Sequence, residues 1–350
     1  MPRYAVNNNI GPEYVVNKEV GAEFEFFNKR IKLNATYFKS NATNQFISAS
    51  SSFASGASSY RTNSGELQNK GFELDLNLTP IRTENFEWNL GANMSKIKNE
   101  VLSLTDGAER VQVGLAASDV GIYAQVGSSY PAIFGTAYTR DGQGRVIIGA
   151  DGNPLVSSEL KNLGSTTPNL ILGFNTSIRY KNLTLAAVAD YKTGHVYYNN
   201  LVDALEFTGS TEHSVSSGRQ PFVFPNSSYE DPSNPGTYIS NTNITTSDGG
   251  YAFWTGTYQA IKENYVVDAT TFKLREVSLS YDLPAKMLPK TFVKGLSLGL
   301  VARNILMLRA AQNKYTDPEF TTDSQEVTGF GTQSQLPSTG SYGFKLDVKF

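Results

Sequence analysis

Apolar and polar residues alternate along most of this chain with a period of two. The clearest run is Phe72 to Thr79: Phe72, Leu74, Leu76 and Leu78 fall on one side, and Glu73, Asp75, Asn77 and Thr79 on the other. A helix would scatter these residues around its circumference, whereas a strand sorts them by face. Pro80 is expected to end the run, because it cannot donate to a ladder. Phe86, Trp88, Leu90, Ala92 and Met94 repeat the pattern after a tight connection. Val20, Ala22, Phe24 and Phe26 alternate in the same way with Glu19, Gly21, Glu23 and Glu25, and Ile31, Leu33, Ala35 and Tyr37 follow the turn Asn28-Lys29-Arg30. Continuing to the last residues, the pattern predicts about nine long strands. They cover residues 18–28, 30–47, 60–79, 85–102, 170–181, 183–193, 270–283, 295–309 and 340–350.

The connections carry as much information as the strands. Short turns follow the first, third, fifth and seventh strands, and long connections follow the second, fourth, sixth and eighth. An up-and-down barrel of the outer membrane has this asymmetry, with short periplasmic turns and long extracellular loops. Several runs reach about ten residues, beyond the usual length of soluble strands. The fold expected is therefore all-β: an antiparallel up-and-down transmembrane β-barrel, present in part, as about nine to ten C-terminal strands of a larger barrel. One unit spans 1–350, with long extracellular loops near 103–169 and 194–269. Residues 133–148 read as a small hairpin around Asp141-Gly142-Gln143-Gly144. A structureless connection as long as 194–269 would be unusual, so it carries structure or function of its own.

Composition narrows the classes. With 30 Lys and Arg against 32 Asp and Glu, the net charge is −2, and no basic run offers a footprint for nucleic acid. Cysteine is absent, which removes disulfides and thiolate metal sites. No stretch of 18 apolar residues is available for a membrane helix, which a strand-built barrel does not need. The residues after Met1 lack the apolar core of a signal peptide, so an export signal is expected to lie outside this sequence.

Several segments resemble the SusC/RagA-like family of TonB-dependent outer-membrane transporters. Gly11-Pro12-Glu13, leading through Glu19-Val20-Gly21 to Phe26-Phe27-Asn28-Lys29-Arg30, is similar to the family's lead-in, first strand and turn. Asn63-Ser64-Gly65-Glu66-Leu67-Gln68-Asn69-Lys70-Gly71-Phe72-Glu73-Leu74 is the most specific match. Phe272-Lys273-Leu274-Arg275, Arg303-Asn304, Asp317-Pro318-Glu319 and Pro337-Ser338 follow in order. The resemblance implies a 22-stranded plugged barrel that imports oligosaccharides or similar large nutrients. It also implies a SusD-like surface lipoprotein, a TonB complex acting through an N-terminal plug absent here, the barrel assembly machinery and outer-membrane lipid as partners.

Candidate sites are few. Tyr342, Phe344, Leu346, Val348 and Phe350 alternate in the last strand and resemble a barrel-assembly signal; the plainer reading is an ordinary amphipathic strand. Tyr251, Phe253, Trp254 and Tyr258 offer faces for ligand or lid contact, against the plainer reading of packing that holds the long loop. Asp317-Pro318-Glu319 and the Asp141 and Asp151 loops lack the carboxylate density of a calcium loop and read as turns. His195 and His213 read as surface residues, without a nucleophile or metal spacing nearby. No catalytic constellation, cofactor fingerprint or metal motif is found, so an enzyme is not expected. The competing reading is a soluble, secreted β-rich carbohydrate-binding or adhesion module.

Overall fold

In the computed structural model, which describes residues 4–6, 10–50, 54, 56–57, 59–63, 65–104, 107–117, 119–288, 292–320 and 328–350, the alternating segments form one antiparallel sheet. Its strands are β1 (Tyr14–Phe26), β2 (Ile31–Thr43), β3 (Glu66–Arg82), β4 (Phe86–Ser103), β5 (Leu170–Tyr180), β6 (Leu183–Thr193), β7 (Thr271–Asp282), β8 (Gly295–Arg309) and β9 (Ser341–Lys349). Each pairs with its neighbour in sequence, so the order from edge to edge is β1 to β9. This is the up-and-down arrangement that the loop pattern predicts. β1 pairs only with β2 and β9 only with β8 in that sheet, leaving the two outer edges free among the described residues.

Register makes the alternation a property of the whole sheet. Phe24, Leu33, Leu76, Ala92, Phe174, Ala189, Leu274 and Leu306 stand opposite one another in succession, an all-apolar row across eight strands. Phe24, Phe174 and Leu306 are each more than 40% exposed, so among the described residues nothing covers them on this face. In water, such a row would far exceed the apolar patches that soluble monomers leave open.

Three features differ from the sequence expectations. β3 does not stop at Pro80: it runs on to Arg82, and its register slips between Leu78 and Ile81. The bulge removes the ladder bond that proline could not donate. Residues 46–50 and 59–63 do not extend β2 and β3; with Tyr4–Val6 they form a separate three-stranded sheet. In the 133–148 segment the turn is present, with Gly144 N–H donating to Asp141 O at 3.0 Å. The arms pair next to it, with Arg140 bridging Val146 and Ile147 N–H donating to Thr139 O at 2.9 Å, but the outer part of the first arm, Ala132–Gly135, pairs instead with Val120–Gln125 and Lys161–Ser165 in a different sheet from Val146–Ile147.

Short connections (27–30, 83–85, 181–182 and 283–294) join strands at one end of the sheet, and the long ones (44–65, 104–169, 194–270 and 310–340) at the other. The buried core lies among these long connections rather than between sheet faces. One cluster gathers Val120, Ile122, Ile133, Tyr198, Tyr265 and Phe330. The other gathers Val146, Ile148, Phe224, Phe253 and Trp254. The long connection after β6 contains a helix, α1 (Asn200–Phe207), whose first turn is capped by the Asn199 side chain accepting from Val202 N–H.

Candidate functional site

The candidate site is the cap built by the long connections, and its roots are the segments that stood out in the sequence. Asn63 ties three strands of chain together: its amide donates to the carbonyls of Gly11 (2.9 Å) and Asn44 (2.7 Å), and its Oδ1 accepts from Gly11 N–H (2.7 Å). Glu13 accepts from Phe46 N–H at 2.5 Å. Gly65 lies against β4 so closely that a Cβ there would sit 1.8 Å from the Ser103 carbonyl oxygen. Asn69 accepts from the Asn99 amide (2.8 Å), and Asn99 in turn accepts from Tyr130 N–H (2.8 Å), which carries the anchor from the wall into the next loop.

A second anchor forms where β6, β7 and the last loop meet. Asp190 and Lys192 project from the polar face of β6. Lys273 follows the same parity on β7, and the register breaks at Arg275. That bulge re-aims the guanidinium along the face. Lys273 Nζ donates to both Asp317 oxygens (2.7 Å each) and to Glu319 (2.5 Å). Lys192 reaches Glu319 at 2.6 Å, and Arg275 bridges Asp190 and Glu319. Burial pushes the Glu319 carboxyl up, but hydrogen bonds from Arg275, Lys192 and Lys273 outweigh it and hold the group well below the usual carboxylate range. Asp317-Pro318-Glu319, which reads as a plain turn in sequence, is therefore a latch fastening the last loop to the wall. The signal available was the match of two acidic residues flanking a proline to Lys273 and Arg275 at alternate positions of one strand.

The cap interior is held by a buried polar hub. Asp203 of α1 accepts from Tyr198 OH (2.8 Å), Lys262 Nζ (2.9 Å) and the Gln259 amide (2.8 Å), and both Asp203 and Lys262 are buried. A buried pair of this kind is tolerable because every partner is satisfied. Beside the hub, Tyr138, His213, Phe222, Trp254 and Tyr258 line a cleft of about 410 Å³. His213 is exposed, with its ring edge-on to Trp254 (4.9 Å) and Nδ1 3.2 Å from buried Glu206. His195 departs from the surface reading: it is partly buried, its Nδ1 has no partner among the described residues, and burial pushes its pKa down to about 4.

Among the aromatic candidates, Phe253 and Trp254 are buried, Tyr258 is partly buried and Tyr251 is 77% exposed. They adjoin in sequence, in a turn of π-helix over Phe253–Tyr258, but divide between the cap interior and its surface. Tyr342, Phe344, Leu346 and Val348 lie on the apolar face of β9 opposite Ala302, Leu300, Leu298 and Leu296, and Phe350 stacks on Phe292 at 5.6 Å. The first group lies in the cap, whereas the second runs down β9 from Tyr342 at the cap end to Phe350 at the short-turn end.

Comparison with known proteins bears on this geometry. The family model described as TonB dependent receptor-like, beta-barrel matches residues 1–305. TonB-dependent receptor P3 of Formosa agariphila is 23% identical, the match covering 99% of this chain and 35% of that protein. TonB-dependent receptor SusC of Bacteroides thetaiotaomicron is 24% identical over 222 residues, which is 56% of this chain and 21% of that one. A solved structure of the RagAB peptide transporter matches with a TM-score of 0.70 at 19% identity, covering 97% of this chain and 35% of that one. The chain thus spans about a third of the length of the relatives that it matches end to end.

Proposed function

The chain belongs to the TonB-dependent receptor-like β-barrel family, and from that premise we propose that it supplies wall strands and the outer cap of an active transporter in the cell outer membrane. The transporter imports oligosaccharides or similar large nutrients, works with a SusD-like surface lipoprotein, is driven by the TonB complex through a plug, and is inserted by the barrel assembly machinery. One observation carries this reading. The last loop is fastened to the polar face through the Lys273–Asp317 latch, and among the described residues the apolar band below the loops is left uncovered, with Phe24, Phe174, Leu185, Leu300 and Phe344 exposed along it. A membrane barrel needs that division, with lipid outside and a polar lumen inside. In this arrangement the long loops point outward. Exposed Tyr251 meets the lid, while Trp254 and Tyr258 border the ligand cleft beneath it, with Phe253 packed behind them.

The test uses the intact transporter in its own bacterium. Deleting its gene is expected to abolish uptake of one class of labelled oligosaccharide, and loss of TonB is expected to do the same. Tyr251→Ala is expected to weaken co-purification of the lipoprotein without lowering the amount of barrel in the membrane. Uptake that persists without TonB would overturn the energised mechanism, and uptake of peptides alone would replace the cargo. A protein that partitions into the detergent-free soluble fraction would point instead to a secreted binding module.

A further inference from the structure

We propose that the outer face of β1 to β4 carries a binding site for the phosphate groups of an anionic lipid, seated where the apolar band meets the long loops. The proposal rests on the reading that this face meets the bilayer with the long loops outward.

The register places four lysines in one line. Lys18 pairs with Lys39, Lys39 with Lys70 and Lys70 with Lys98, so all four project from the same face. That face is the apolar one, because the next row toward the short turns is Val20, Tyr37, Phe72 and Lys96, and the row below it begins Ala22, Ala35, Leu74 and Met94. The column of each strand thus changes from apolar, through an aromatic pair in contact (Tyr37 and Phe72, rings 4.9 Å apart), to cationic. Most carboxylates of these strands, including Glu19, Glu23, Glu73 and Asp75, stand on the opposite face by parity. Of the two that share the lysine face, Glu66 accepts from the Asn41 amide, and Glu100 pairs with Lys98 at 2.8 Å. Among the described residues no carboxylate pairs with Lys18, Lys39, Lys70 or Lys96.

Like charges directly opposite on adjacent strands repel, since their Cβ atoms are only about 5 Å apart. Glu100 answers this charge at the Lys98 end of the row, and the remaining lysines are costly to hold together unless a further anion lies among them. A receptacle is present: a cleft of about 620 Å³ is lined by Lys70, Lys96 and Lys98, floored by Tyr37 and Phe72, and bordered by Thr167 from the connection before β5. Its aromatic floor opens onto the apolar band. This combination fits an amphiphile whose phosphate meets the ammonium groups while its acyl chains run down the band. A free phosphate would use only the upper half of it. Lysines at a membrane surface draw anionic headgroups with on the order of 1 kcal/mol each, or roughly fivefold in affinity.

The experiment is lipid retention by the intact barrel. Purified barrel is reconstituted in phosphatidylcholine nanodiscs doped with lipid A or, in parallel, with phosphatidylglycerol, and retained lipids are counted by native mass spectrometry. The wild type is expected to keep phosphorylated lipid over phosphatidylcholine. Lys70→Gln, Lys96→Gln and Lys98→Gln combined are expected to lower that preference about a hundredfold. The matching triple arginine variant should restore it and guard against a folding artefact. Equal retention of anionic and zwitterionic lipid by the wild type, or an unchanged preference in the glutamine variant, would overturn the site. Full displacement by inorganic phosphate would show a free-anion site and overturn the lipid assignment. Failure of the wild type to enter any bilayer, a separate readout, would instead remove the membrane reading and this site with it.

Discussion

At the scale of single residues, the positions that matter most here are small or amidic rather than reactive. Gly65 and Asn63 hold the root of the first long connection, one by letting backbones touch and the other by bonding three carbonyl or amide groups at once. Gly65→Ala brings a methyl to 1.8 Å from a backbone oxygen, which no rotamer change relieves. The expected cost is about 1–3 kcal/mol, as for other overpacked sites. It should appear as a lower temperature for loss of heat-modifiable mobility on gels, with the barrel still assembled. This asparagine and glycine were conspicuous in the sequence as part of the segment most similar to the transporter family, but their task was not. A pattern of residue types shows that a position is special; it takes three-dimensional register to show that Gly65 faces Ser103.

At the scale of elements, strands were legible and their companions were not. Alternation in Phe72 to Leu78 specified both the strand and its faces, because a period of two admits only one sorting. The same reasoning missed the passage of β3 through Pro80, since a bulge depends on the partner strand. It also read Asp317-Pro318-Glu319 as an isolated turn, because the residues that give it meaning, Lys273 and Arg275, lie more than forty positions away. The latch makes a prediction with a definite pH sign. Glu319 is held below its ordinary range when folded, so its contribution is complete above about pH 4.5 and fades as pH falls below that value. Asp317→Ala with Glu319→Ala leaves buried Lys273 unpaired and should cost about 3–5 kcal/mol locally at neutral pH. Limited proteolysis within 310–320 would report this as faster cleavage in the variant, with the difference from wild type narrowing in acid.

For the whole molecule, the division of labour is between a wall without a core and a cap that has one. The sheet leaves its apolar side bare and depends on its surroundings, whereas the connections bury Tyr197, Tyr265 and Phe253 almost completely. Surface loops ordinarily accept insertions, but these are packed, so tolerance should follow burial rather than loop length. An epitope placed at Ser233–Gly236, an exposed turn, is expected to leave assembly intact and be stained on whole cells. The same epitope between Asn199 and Asp203, at the buried hub, is expected to abolish surface display. Staining at the first position only after permeabilisation would reverse the assigned orientation.

The latch also has a bearing on the order in which the protein can be finished. Its acidic half lies after β8, and Phe330, further on, stacks on Tyr198 at 4.6 Å. The centre of the cap is thus completed by residues that follow, in the chain, every strand they fasten. Until the loop after β8 is in place, Asp190 is the one carboxylate of the latch present to answer the three positive charges of Lys192, Lys273 and Arg275. A chain arrested at that stage would present a basic, unroofed rim, a form that quality-control proteases could distinguish from the finished barrel by charge alone.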